Sequence, residues 1–241
     1  MTLFAYLILF LSVIVSGSAV FLLKTNNRKN LKLVLAFSGA YLFAISVTHL
    51  IPEVYRSSNK SIGLYVLLGF FFQILLEFFS EGIEHGHVHI HKHGTDHNHA
   101  AFPFAIIISL SVHSFLEGMP LAINYGVVGP TLLTGIVLHN IPVAFALMSM
   151  FMESGVKKNT ALVLLTVFAL TAPLGALTST YIGSSHLVLD MTQYFDKIMA
   201  VVIGIFLHIS TTILFESSED HRFNIYKMIT ILCGAGLALM L

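Results

Sequence analysis

Residues 101–124 read AFPFAIIISLSVHSFLEGMPLAIN. The stretch is long enough to cross a bilayer, whose hydrocarbon core takes about 20 mostly apolar residues of helix. It holds one acid, Glu117, and one histidine, His113. An ionisable side chain inside a span is costly and by default marks a functional site. His113 and Glu117 are four residues apart, so a helix presents both on one face, with Ser114 beside them. That face cannot look at lipid, so the span has to belong to a bundle.

The rest of the chain supplies one. Of its 241 residues, 56% are hydrophobic and 10% charged, and the mean hydropathy is +0.86. A soluble domain carries about 25% charged residues. So few charges cannot solvate a globular surface, and the lipid bilayer must be part of the solvent. Segments of spanning length lie at about 2–23, 32–51, 62–82, 101–124, 127–152, 159–181, 194–216 and 225–241. The first is too long for the apolar core of a signal peptide and lacks a basic segment before it, so it reads as a span. The expected fold is all-α: a polytopic membrane helix bundle of eight transmembrane helices, forming a single transmembrane domain over 1–241.

Lys and Arg set the orientation. Nine of them fall at the joins after spans one, three, five and seven: Lys24, Arg28, Lys29, Lys32, Lys92, Lys157, Lys158, Arg222 and Lys227. The other joins hold three, Arg56, Lys60 and Lys197. The odd joins are therefore expected on the cytoplasmic side of a cell membrane (inner or plasma), with both termini extracytoplasmic. The formal net charge is zero, which gives a nucleic-acid partner no support. Cys233 is the sole cysteine, which excludes disulfides within the chain and Cys-based zinc fingers.

The join at about 83–100 is rich in histidine. His85, His87, His89, His91, His93, His97 and His99 make up seven of the chain's thirteen. Imidazole is the commonest protein ligand for zinc, copper and nickel. The tract is expected to gather or deliver metal on the cytoplasmic side, against the plainer alternative of a solvated loop.

Span five carries His139, Asn140 and Pro142. His113 is twelve residues into span four and His139 twelve residues into span five, so both sit about 18 Å from their starts, near the midplane. Two imidazoles and a carboxylate at one depth suit a borderline metal such as zinc. Midplane sites at interrupted helices are also where transporters hold substrate. Pro120 and Pro142 would each free a backbone carbonyl one turn back. The plainer alternative, a buried polar pair joining two helices, fits a lone histidine better than this set. His113, Glu117, His139, Asn140 and Ser114 are the expected metal site.

Other polar positions could line the path. His49 and Glu53, with Pro52 between them, close span two and could form an outer vestibule or an ordinary wet helix end. His208 and Glu216 on span seven, with Glu77, Glu81 and Glu84 near the inner end of span three, could form an exit or simply anchor helix ends. Gly234 and Gly236 would permit the close packing of a homodimer.

These motifs resemble the ZIP (ZRT/IRT-like) divalent metal transporters. His113-Ser114-Phe115-Leu116-Glu117-Gly118 is similar to that family's span-four signature, His-Asn-x-x-Glu-Gly. His139-Asn140-Ile141-Pro142-Val143-Ala144 is similar to its span-five signature, His-Asn-Ile-Pro-Glu-Gly. His49-Leu50-Ile51-Pro52-Glu53 and the histidine-rich join also agree. The resemblance implies uptake into the cytoplasm of zinc, or of iron, manganese or cadmium, by alternating access between two helix groups. It implies metal roles for His113, Glu117, His139 and Asn140. The metal is cargo, and no resident cofactor is expected.

Three departures stand out. Val143 occupies the span-five Glu position, Ala172 stands where many members place a carboxylate before Pro173, and Ser114 replaces Asn. The family's two-metal arrangement shares those carboxylates, so one midplane metal is expected here. A ZIP-like binding or sensor protein without transport is the alternative. An enzyme is not expected: an intramembrane hydrolase needs an open metal position and a separate base, and Glu117 would have to serve as ligand and base at once.

Overall fold

A computed structural model describes residues 2–22, 28–56, 60–80, 82–83, 104–122, 128–184, 191–216 and 225–241. The helices are α1 (Leu3–Ser18), α2 (Arg28–Ile45), α3 (Ile51–Val54), α4 (Ile62–Ser80), α5 (Phe104–Gly118), α6 (Val128–Glu153), α7 (Lys158–Ser184), α8 (Met191–Glu216) and α9 (Ile225–Met240). A π turn over Ser46–Leu50 joins α2 to α3, and a 3₁₀ turn over Met119–Ala122 continues α5. The histidine tract, Glu81 and Glu84 lie outside the described residues, as does the Glu216 side chain.

Among the described residues, seven helices are long and apolar enough to cross a membrane, where eight spans were expected. The difference is α9, whose 16 residues reach about 24 Å by helical rise, short of the roughly 30 Å hydrocarbon core.

Helix is the form these sequences must take in lipid, because every backbone polar group then pairs within its own segment. The hydroxyls follow the same rule. Ser38 donates to the Leu35 carbonyl at 3.0 Å, Ser109 to Ile106 at 3.0 Å and Thr48 to Ala44 at 2.7 Å. Each turns a costly polar group back onto its own helix.

Lipid tails give little hydrophobic drive for helix association, so close packing has to hold the bundle. Two groups result. In one, α4 packs along α8, and α2 packs on α9 and α8; in the other, α1 packs along α6 and α7, and α5 along α7. Glycines set the closest approaches. A Cβ at Gly118 on α5 would lie 2.0 Å from the Ala172 carbonyl oxygen, and one at Gly175 on α7 would lie 2.0 Å from that of Phe115. Gly69 and Gly204 do the same for α4 and α8, against Val201 and Val66. Backbones therefore touch within each group, at contacts no other residue could make.

Gly234 is part of this internal packing, since a Cβ there would lie 2.3 Å from the Phe37 carbonyl oxygen of α2. Its small size is explained within one chain, which removes it as a pointer to a homodimer. Between the groups, α2 meets α6 and α4 meets α5. The metal-ligand candidates sit beside the second of these seams.

Candidate metal centre

α5 carries His113 and Glu117 one turn apart, and Pro120 in the following 3₁₀ turn cannot donate to the Leu116 carbonyl. α6 carries His139 and Asn140 in the turn before its internal Pro142. All four side chains are buried, none more than 1% exposed. His113 Nε2 lies 2.9 Å from Glu117 Oε1. The His113 and His139 rings stand edge to face, 80° apart in plane with centroids 6.0 Å apart. One ligand atom from each of His113, Glu117 and His139 lies within 4.8 Å of the others. Ligands about 2.1 Å from a shared zinc can be at most about 4.2 Å apart, so small side-chain rotations would close the set.

The electrostatics favour a cation. Neither Glu117 oxygen accepts a hydrogen bond from any described residue, and the Asn140 amide likewise makes none. A buried carboxylate in that position is costly unless a positive charge neutralises it. The span-four imidazole adds to the demand. Its Nδ1 donates to the Oε1 of Gln73 on α4, at 3.0 Å. In its neutral form the ring presents the lone pair of Nε2 to the carboxylate. Two electron pairs at that separation repel until a proton or a metal ion comes between them.

The structure thus gathers His113, Glu117 and His139, with Asn140 alongside and Ser114 buried next to His113. It does not bring the span-two residues into that set. His49 Nδ1 shares a 2.7 Å hydrogen bond with the Thr48 hydroxyl, and Glu53 pairs with Arg56 at 2.7 Å. The π turn around His49 carries a 6→1 bond from Ile51 N–H to the Ser46 carbonyl, the kind of local rewinding that often accompanies functional positions. His208 Nε2 contacts Glu77 Oε2 across α8 and α4, and the Phe70 ring meets the imidazole edge-on, 5.0 Å between centroids.

A buried amide and a buried acid were not foreseen. Gln73 is fully buried in an otherwise apolar run, and Asp196 is 7% exposed in the early part of α8. The intramembrane-polar rule that singles out His113 would have found Gln73 had it been applied to amides as well as to ionisable groups. Of the absent carboxylates, Val143 packs with Ala144, Ala146 and Leu147 in one apolar cluster, and Ala172 packs with Ala176 and Phe206 in another.

The family model described as ZIP zinc transporter matches residues 84–241 of this chain. The chain belongs to the ZIP family. It is 30% identical over 173 residues to zinc transporter ZIP9-B of Xenopus laevis, a match that covers 69% of this chain and 55% of that protein. Zinc transporter ZIP1 of Danio rerio is 31% identical over 164 residues, covering 64% of this chain and 50% of that protein. Protein zntD of Dictyostelium discoideum is 27% identical over 171 residues, or 66% of this chain and 25% of that protein. This ZIP chain spans about half the length of the zinc transporters it matches.

Proposed function

We propose that this chain carries a divalent transition metal, zinc foremost, across a cell membrane into the cytoplasm. The observation that carries the reading is Glu117, a fully buried carboxylate with no hydrogen bond from any described residue, beside two imidazoles on neighbouring helices. Family membership supports it, as do the relatives' names as zinc transporters. His113, Glu117 and His139 bind the ion, with Asn140 and Ser114 at the edge of the site. The whole chain acts as one transport unit, with its lysine- and arginine-rich joins inside.

Charge explains why such a site would release its cargo. A divalent ion on one carboxylate keeps roughly one uncompensated positive charge in a low-dielectric setting, which weakens retention. A site with two imidazoles to one carboxylate also favours zinc over manganese. Toward the cytoplasmic end, the ion meets the Glu77–His208 pair and then the histidine-rich join. His49 and Glu53 form the outer approach.

The second reading, a metal-binding or sensing protein without transport, is favoured by the apolar packing of Val143 and Ala172. Zinc uptake into proteoliposomes separates the two. Saturable flux in the wild type, lost in His113→Ala and Glu117→Ala, supports transport. Zinc bound by the wild type with no flux establishes the second reading instead.

A further inference from the structure

We infer that Gln73 is a positioning residue that sets the affinity of the metal centre through His113, from the opposite helix group. The inference rests on the proposed centre and goes beyond it, because Gln73 does not face the ion.

The geometry is specific. Gln73 is fully buried and His113 is 1% exposed. The imidazole stands between two oxygens, with Gln73 Oε1 at 3.0 Å from Nδ1 and Glu117 Oε1 at 2.9 Å from Nε2. Holding the proton on Nδ1 leaves Nε2 as the electron pair available to a metal. A metal-bound histidine typically gives its other N–H to such an acceptor, which fixes the ring and tunes its donor strength. The acceptor here is a neutral amide. A carboxylate there would add a second negative charge and pull harder on the Nδ1 proton, making Nε2 the better donor. The amide orients the ring without adding charge, which suits a site that has to let its ion go.

Gln73 also ties the site to the arrangement of the two groups. It stands on α4, whose backbone touches α8 at Gly69 and Gly204; His113 stands on α5, whose backbone touches α7 at Gly118 and Gly175. Relative displacement of the groups has to stretch or break the hydrogen bond between them. The ring would then lose its orientation, and the ion one of its ligands. Affinity is in this way linked to the position of one group against the other.

The test uses the full-length chain with its seven loop histidines replaced by asparagine, so that loop binding does not mask the centre. Zinc affinity is measured by competition with a fluorescent chelator in detergent, and flux in proteoliposomes. Gln73→Glu keeps the shape and adds charge; it should tighten zinc binding about tenfold or more and lower maximal flux. Gln73→Leu removes the acceptor; it should weaken binding by roughly 10- to 100-fold and raise the KM for flux. Opposite signs in two variants that both elute as folded protein are the signature of tuning, since a structural spacer would shift both the same way. Equal weakening in both, or affinity within about twofold of the parent in both, overturns the inference while leaving the centre intact. Unchanged affinity in His113→Ala overturns the centre itself and this inference with it.

Discussion

His113 Nε2 and Glu117 Oε1 stand 2.9 Å apart on one face of α5, and neither side chain is more than 1% exposed. With Nδ1 committed to Gln73, the close approach makes sense when a cation lies against both atoms. Glu117→Gln keeps the volume and removes the charge. Losing one partner of a buried charged contact costs about 3–5 kcal/mol, which corresponds to at least about 100-fold in affinity. Zinc flux at fixed concentration should fall accordingly in Glu117→Gln, while the protein still inserts and elutes as the wild type does. Flux within a few fold of wild type would remove Glu117 from the mechanism.

Stoichiometry tests the missing carboxylates. Val143 and Ala172 are 1% and 3% exposed and lie in apolar clusters, so neither position offers a ligand to a second ion. With the loop histidines replaced by asparagine, metal analysis of the dialysed protein should approach one zinc per chain. Two per chain would contradict the single-site reading. Introducing Val143→Glu should lower thermal stability without metal, because the new acid is buried among alkyl groups. Added zinc should restore more stability to this variant than to its parent.

The glycine contacts predict a graded series. A Cβ at Gly118 or Gly175 would lie 2.0 Å from a backbone carbonyl oxygen, whereas one at Gly236 would meet nothing within 4 Å. Gly118→Ala and Gly175→Ala should each destabilise the folded protein by about 1–3 kcal/mol or more, and should lower flux by shifting α5 against α7. Gly236→Ala should be neutral in both measurements. Thermal unfolding in detergent, followed beside zinc uptake, checks all three; wild-type stability in Gly118→Ala would mean that the helices can separate without consequence.

Where the sequence was legible, one rule did most of the reading. Apolar length marks seven of the spans, because the bilayer fixes how much helix is needed. The cost of intramembrane charge marks His113, Glu117 and His139, and helical spacing puts the first two on one face. Equal depth then predicts that they meet His139, and the His113 and His139 ring centroids lie 6.0 Å apart. Gln73 escaped because the intramembrane rule was read for ionisable groups, and nothing local names the imidazole that the amide bonds. Its partner is forty residues away, and only the packing of α4 on α5 unites them. The close contacts at Gly118 and Gly175 were hidden for the same reason, since a glycine in a span shows tolerance of close packing but not its partner. The eighth segment also forms the expected helix, α9 over Ile225–Met240, with Lys227 donating to the Leu214 carbonyl at 2.9 Å, but among the described residues it is shorter than the other spans.

The last relationship concerns the route out of the centre. Glu77 follows Gln73 by one helical turn on α4 and contacts His208 of α8, so one helix face links the His113 ring to this pair. If the ion passes the pair on its way to the cytoplasm, Glu77→Gln and His208→Ala should lower maximal zinc flux several-fold. They should leave zinc affinity at the centre unchanged, because neither residue belongs to the gathered set of His113, Glu117 and His139. Both parameters can be read on one preparation, by chelator competition for binding and by initial uptake for flux. A parallel loss of affinity and flux would make the pair a structural brace between α4 and α8, and would place the route elsewhere.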